Sequence, residues 1–204
     1  MKERKAVFTW IIFSLFMFFV FRFDSDIVKG ISMIRNSVLS NFFIGITFFS
    51  SSVIIFIFLT ALFIWKNKKK WILPLWLTML VSVIISFLLK VSIQRMRPYQ
   101  MELISILPGF ESLAHIIWNF SFPSFQAMLV FSAVPFLSKE FPRFRYVWII
   151  FASLVALSRV YLGVHFLSDV ILGGLIGYLI GAAIIKTEKE NKYCERFYKK
   201  IFKK

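Results

Sequence analysis

Acidic residues, histidine and cysteine are all scarce in this chain of 204 residues. It has 10 Asp and Glu against 25 Lys and Arg, two histidines and a single cysteine, Cys194. One cysteine excludes an internal disulfide. So few acids and histidines provide no cluster of the kind that holds a divalent cation. We therefore expect no disulfide and no metal site, and we assign no cofactor.

Apolar residues, in contrast, make up 59% of the sequence, and its mean hydropathy is +0.77. A soluble domain of this size could not bury that much apolar surface. The apolar runs are long enough to cross about 30 Å of hydrocarbon as helices, and they lack the polar alternation of a membrane barrel. The sequence therefore predicts an all-α integral membrane protein, with one domain over residues 1–204.

We interpret six apolar runs as transmembrane helices. They are Ala6–Phe21, Phe42–Trp65, Trp71–Leu89, a run from Pro123 to just before Ser138, Tyr146–Leu157 and Phe166–Ile185. The first lacks a small-residue cleavage site and is predicted to remain uncleaved. Asp24, Ser25 and Asp26 are predicted to cap a short interfacial helix that reaches Val38. Glycines at four-residue spacing in the last run, Gly173, Gly177 and Gly181, predict close packing against another helix.

The positive charges predict the orientation of these spans. If there are six, the basic segments all lie on one side of the membrane: the N-terminus, Lys66–Lys70, Lys139–Arg145 and the tail Lys186–Lys204. The positive-inside rule places them, and both termini, in the cytoplasm. Lysines beside apolar runs favour contact with anionic lipids over nucleic acid. The loop from Lys90 to Phe122 and the turn from Ser158 to Asp169 would then meet at the outer face of the cell membrane.

The turn from Ser158 to Asp169 places an arginine, a histidine and an aspartate between two apolar walls. Ionisable groups there are costly and usually functional, although an ordinary loop with an interfacial ion pair has the same pattern. If the helix starts at His165, Asp169 lies one turn further on the same face. The carboxylate could then hold one ring nitrogen and leave the other free as a nucleophile or base.

Two further stretches carry groups suited to an anion. Lys90 and Arg97 are seven residues apart, so both cations point the same way if the third helix extends to Pro98. Two cations beside a membrane favour a phosphate, although snorkelling helix-end cations look similar. Ser124 opens the fourth helix, where backbone N–H groups bind anions readily; alternatively it is simply a cap.

Together these stretches resemble the type 2 phosphatidic acid phosphatase family, in particular its small six-helix bacterial lipid phosphatases. One family motif is Lys, six residues, Arg-Pro, and it stands complete from Lys90 to Pro98. Another is Ser-Arg, five residues, His, three residues, Asp, which is complete from Ser158 to Asp169. The resemblance implies that the phosphate is held by Lys90, Arg97, Ser124 and Arg159. It further implies that His165 attacks phosphorus while Asp169 orients the imidazole, without a metal ion.

The remaining family motif is not intact. Pro123-Ser124-Phe125-Gln126 stands where the family has Pro-Ser-Gly-His. In the family that histidine protonates the leaving oxygen and later activates water, whereas a glutamine amide can donate a hydrogen bond but cannot supply a proton. Losing a general acid costs on the order of 10² to 10⁴ in rate. Phe125 also adds a bulky ring that could crowd the phosphate.

Three interpretations of this divergence remain open. A lipid diphosphate would not need the acid, because its leaving group is a phosphate with a second pKa near 6. His115, in the outward loop, could replace the missing acid. Alternatively, catalysis is weakened or lost, and the pocket binds, senses or transports a phosphorylated lipid. We favour a lipid phosphatase or diphosphatase, such as one acting on a phospholipid or a polyprenyl diphosphate, with the binding protein as the alternative.

Overall fold

The computed structural model describes residues 2–105, 119–194 and 196, and α-helices dominate these residues. In chain order they are α1 (Lys2–Met33), α2 (Ser37–Phe49), α3 (Ser52–Trp65), α4 (Ile72–Ile93), α5 (Phe125–Glu140), α6 (Arg145–Tyr161) and α7 (Leu167–Asn191). Short 3-10 turns, Lys69–Trp71 and Pro142–Phe144, lead into α4 and α6. The predicted helical fold is confirmed.

Four helical segments are long and apolar enough to cross a membrane. They are Val7–Met33, Lys69–Ile93, Pro142–Tyr161 and Leu167–Asn191. The pair α2 and α3 provides a fifth if it is one broken span, since the two helices are bent by 59° at their junction. With only 16 residues, α5 is shorter than these segments. The chain is a multi-pass membrane protein, and the sixth span stays a prediction.

The predicted interfacial helix is wrong, because α1 runs without a break through Asp24 to Met33. The Asp24 side chain is not a cap. It is buried, with 2% of its surface exposed, and one carboxylate oxygen lies 2.9 Å from the Arg95 guanidinium. A buried carboxylate is tolerated when a cation and hydrogen bonds compensate it. With its charge compensated, Asp24 can lie inside a continuous helix.

Two other helix boundaries differ from their predictions. α4 ends at Ile93, where Gln94 adopts a left-handed conformation with φ of 50°, so Arg97 does not share a helix with Lys90. The residue before Pro98 is disfavoured in a helix, but the chain leaves the helix four residues earlier. α7 begins at Leu167, so His165 precedes the helix that carries Asp169.

The predicted glycine stripe on α7 is confirmed, and it packs against α5. A Cβ at each of its positions would meet a backbone carbonyl oxygen: Ser124 for Gly173, Met128 for Gly177 and Ser132 for Gly181. For Gly173 the separation would be 2.8 Å, which is too close for a methyl group. Because no side chain intervenes, α7 lies directly against the backbone at Ser124.

We expect Gly177→Ala to lower the free energy of unfolding by roughly 1–3 kcal/mol, because the new methyl group would overlap the Met128 carbonyl. Thermal melts of the purified protein in detergent measure the loss. Gly30→Ala on α1 is the matched control: nothing lies within 4 Å of its new Cβ, so it should be neutral or slightly stabilising. Equal stability of the two variants would contradict the close packing of α5 against α7.

Candidate functional site

His165 is buried, with 3% of its surface exposed. Its Nδ1 faces the Asp169 carboxylate at 3.7 Å, and its Nε2 lies 3.4 Å from a guanidinium nitrogen of Arg97. An arginine can only donate, so this contact suits an Nε2 that carries a lone pair. Burial, and next the positive charge of Arg97, hold the pKa of His165 well below its usual 6.5. The imidazole is therefore neutral near pH 7, with Nε2 as its nucleophilic atom.

The Asp169 carboxylate is fully buried and held from several sides. Its Oδ2 accepts from the backbone N–H of Phe166 at 2.8 Å and from the hydroxyl of Ser121. Its Oδ1 lies 2.7 Å from the Arg95 guanidinium. These contacts fix the carboxylate beside His165 at the first turn of α7. Its position is consistent with the orienting role that the family resemblance implies.

Arg95, which sequence reasoning missed as a site residue, joins this carboxylate to α1. The guanidinium bridges Asp24 at 2.9 Å and Asp169 at 2.7 Å, and it donates to the Ser168 hydroxyl at 2.6 Å. It also lies 4.1 Å from the centroid of the Phe166 ring. The available signal was Asp24, an acidic residue three positions after the end of an apolar run, which we interpreted only as a helix cap.

Lys90 and Arg97 reach the site from separate backbone segments. Arg97 donates to the backbone carbonyls of Val164 at 2.8 Å and Asn119 at 3.2 Å. The Lys90 ammonium donates to the carbonyl of Phe120 at 2.6 Å. The loop after α4 and the turn before α7 therefore meet, as the sequence predicted. The sequence interpretation placed both cations on one helix because they are seven residues apart. In the structure only Lys90 lies on α4.

Ser124 and Arg159 are both buried, and each keeps an unused polar atom. Ser124 is the N-cap of α5, and its backbone N–H donates to the Asp169 carbonyl at 3.1 Å. Its hydroxyl and the Arg159 Nε have no hydrogen-bond partner among the described residues. Buried polar atoms are normally paired, and exceptions need an explanation. A bound anion with several acceptor oxygens would satisfy both donors.

Gln126 contacts the break between α2 and α3. Its amide nitrogen donates to the Thr47 carbonyl at 2.9 Å and to the Ser50 hydroxyl at 2.7 Å. Because a carbonyl accepts only, the nitrogen must face Thr47, and both amide hydrogens are in use. Gln126 therefore has no hydrogen left to donate to a leaving group. The Thr47 hydroxyl in turn lies 3.4 Å from Arg159. Residues at the end of α2 and in the break therefore contact the second motif at Gln126 and the third motif at Arg159.

The other divergent residue, Phe125, is partly buried and packs against the hydrophobic core to which helices α3 to α7 contribute. That packing gives its ring a structural role at the start of α5. His115 lies outside the described residues, and its part as a substitute acid stays a prediction.

Comparisons with known proteins agree on one family. A family model described as the PAP2 superfamily matches residues 71–193. Phosphatidylglycerophosphatase B of Bacillus subtilis (strain 168) is 31% identical over 172 residues, covering 77% of this chain and 79% of that protein.

Two solved structures have a fold similar to that of this chain. The first transmembrane PAP2 type phosphatidylglycerolphosphate phosphatase from Bacillus subtilis superimposes with a TM-score of 0.69 at 25% identity, covering 90% of this chain and 97% of that one. Aquifex aeolicus LpxE shares the fold, with a TM-score of 0.63 at 24% identity over 79% of this chain and 93% of that one.

Proposed function

Since the chain belongs to the PAP2 superfamily, we propose that it is a metal-independent lipid phosphatase or diphosphatase acting through a phosphohistidine. The similar Bacillus protein is a phosphatidylglycerophosphatase. The observation that carries this proposal is the convergence on His165 of one orienting carboxylate and several buried donors. His165 has a neutral imidazole whose Nε2 lone pair faces the Arg97 guanidinium, and Ser124 and Arg159 keep buried donors that have no hydrogen-bond partner among the described residues. A passive membrane anchor has no need for that combination.

In the proposed reaction, Nε2 of His165 attacks phosphorus while the bond from phosphorus to the leaving oxygen breaks. Lys90, Arg97, Ser124 and Arg159 neutralise the charge that develops on the equatorial oxygens. Asp169 stabilises the positive charge of the phosphorylated imidazole. Water then attacks the phosphohistidine and the P–N bond breaks. Both protons of the water leave with the phosphate as dihydrogen phosphate, and a neutral histidine is restored.

Gln126 favours a diphosphate as the substrate. Its amide has no ionisable proton, and both of its hydrogens are committed to α2 and to Ser50. A lipid alcohol leaves poorly without protonation, whereas a phosphate, with a second pKa near 6, departs as an anion. The proposed attack therefore falls on the terminal phosphorus of a lipid diphosphate, and a lipid monophosphate is released. The named Bacillus relative acts on phosphatidylglycerophosphate, and a phospholipid monoester is the less favoured substrate here.

A second candidate function is a pocket that binds, senses or transports a phosphorylated lipid with little or no turnover. The same residue, Gln126, favours it, because loss of the acid is compatible with binding alone. The two functions separate by mutation. A carrier would keep lipid affinity in His165→Ala and lose it in Arg159→Ala, whereas an enzyme would lose phosphate release in His165→Ala.

The proposed topology has six spans, with α2 and α3 forming one broken span and α5 forming another. Both termini would lie in the cytoplasm, and His165 would face the extracellular side of the cell membrane. The basic segments at the opposite helix ends support this orientation by the positive-inside rule.

We expect wild type to release phosphate from undecaprenyl diphosphate at least about 100-fold faster than from phosphatidic acid, because a general acid is worth on the order of 10² to 10⁴. Phosphatidylglycerophosphate should behave as phosphatidic acid does. The measurement is phosphate release by detergent-purified protein. In Gln126→His, the ratio between diphosphate and monoester should fall, since an imidazole at this position can supply the proton.

His115→Ala is the control for a substitute acid in the loop, and it should leave the ratio unchanged. Equal cleavage of monoester and diphosphate by wild type would contradict the acid-independent interpretation. No turnover in wild type, with activity gained in Gln126→His, would favour the binding function.

A further inference from the structure

At the end of the bundle opposite to His165, four lysines line one cavity. Together with Trp71 and Glu188 they line a cavity of about 210 Å³, and they are Lys70, Lys139, Lys189 and Lys192. They come from separate elements: the turn before α4, the last turn of α5, the last turn of α7 and the residue after α7. The candidate site lies at the other ends of α4, α5 and α7.

The Trp71 ring holds two of these cations in place. Lys139 Nζ lies 3.6 Å from the ring centroid and Lys70 Nζ lies 5.6 Å from it. Such contacts attract an ammonium group but leave its positive charge in place. Trp71 itself is buried, and its ring N–H has no acceptor among the described residues. The cavity therefore has an ordered wall.

Among the described residues, the lysines around this cavity outnumber the nearby carboxylates. Glu188 is buried and accepts from the backbone N–H of Cys194 at 2.9 Å, and Glu140 pairs with Lys68 at 3.0 Å. Among the described side chains, none of the four lysines forms an ion pair with a carboxylate. Four ammonium groups around one cavity with a single carboxylate in its lining make it a site for an anion.

We propose that this cavity binds the phosphate of an anionic membrane lipid in the leaflet opposite to the candidate site. Lysine ammonium groups bind phosphate as point charges. The cavity lies where spans end, and a tryptophan at that level is typical of the membrane interface. At about 30 Å³ for each water molecule, its volume equals about seven waters, which is enough for a phosphate group. This inference rests on charge and position, and it is independent of the proposed catalysis.

The test compares the unfolding temperature of the full chain in phosphatidylcholine nanodiscs with and without phosphatidylglycerol. A ligand that binds the folded state raises that temperature. We expect phosphatidylglycerol to raise it by several degrees in wild type, and we expect Lys139→Gln with Lys189→Gln to lose most of the rise. Lys69→Gln with Lys186→Gln is the matched control, because it removes two exposed lysines at the same end that do not line the cavity.

The control pair should keep the full rise. An equal reduction in both double variants would overturn the proposal in favour of diffuse attraction to an anionic surface. Inorganic phosphate added to phosphatidylcholine nanodiscs should give no comparable rise; if it does, free phosphate and not a lipid is the ligand. Any contribution from binding at the candidate site is common to both double variants and cancels in the comparison.

Discussion

His165→Ala should reduce phosphate release by at least about 10⁴-fold on every lipid that the wild type cleaves. The variant removes the proposed nucleophile, and in other enzymes that use covalent catalysis the loss of the nucleophile costs on this order or more. The buried donors of Ser124 and Arg159 would remain, so lipid binding should change far less than turnover. Phosphate release and lipid affinity, measured on the same detergent preparation, give the two values.

A chemical readout accompanies this prediction. Wild type quenched during turnover should carry an acid-labile phosphate on His165, and the alanine variant should carry none. His115→Ala is the matched histidine control, and it should still form the phosphorylated species. If His165→Ala keeps more than about one hundredth of the wild-type rate, His165 is not the nucleophile and the proposed reaction is wrong.

Arg95→Met should lower the free energy of unfolding by roughly 3 kcal/mol, because it leaves two buried carboxylates without their shared cation. Asp24 and Asp169 are 2% and 0% exposed, and the methionine keeps much of the side-chain volume. We also expect phosphate release to fall by about 10²-fold, since Asp169 would no longer be held at its present position beside His165. Thermal melts and turnover rates measure the two effects.

A double variant distinguishes the ion pair from simple packing. In Asp24→Asn with Arg95→Met, one of the two stranded charges is removed, so part of the lost stability should return. Turnover should stay low because Asp169 still lacks Arg95. The single variant should lower kcat and leave KM nearly unchanged, since among the described residues the guanidinium hydrogen-bonds to Asp24, Ser168 and Asp169 and not to the proposed phosphate-binding groups. Recovery of full activity in the double variant would refute a positioning role for Arg95.

The positions of most helices could be predicted from the sequence, because apolar runs bounded by basic clusters mark membrane segments directly. The exceptions depend on tertiary contacts. Asp24 looked like a helix cap, and only its pairing with Arg95, distant in sequence, lets α1 continue past it. The bend after Phe49 lies at three consecutive serines, Ser50 to Ser52, whose hydroxyls carry no periodic signal, and Ser50 accepts a hydrogen bond from Gln126 across the bundle.

The residues of the candidate site could be identified from the sequence motifs. The residues that hold those side chains in place could not. Lys90, Arg97 and His165 are recognisable by spacing, although the helical geometry first assumed for them is absent. Thr47 and Ser121 are single polar residues in apolar or loop sequence, and nothing local distinguishes them. They matter only because folding brings them to Arg159 and Asp169. A single sequence does not encode such pairings locally.

The bridge from Asp24 through Arg95 to Asp169 also bears on where the functional unit begins. The family model starts at residue 71, yet Asp24 on α1 and Thr47 on α2 both precede that point and both contact site residues. A truncated chain starting at Trp71 would keep all three motif segments, but it would lose one of the two carboxylates that hold Arg95 and the Thr47 hydroxyl that contacts Arg159. The N-terminal helices therefore contribute contacts to the candidate site that the matched segment alone would not provide.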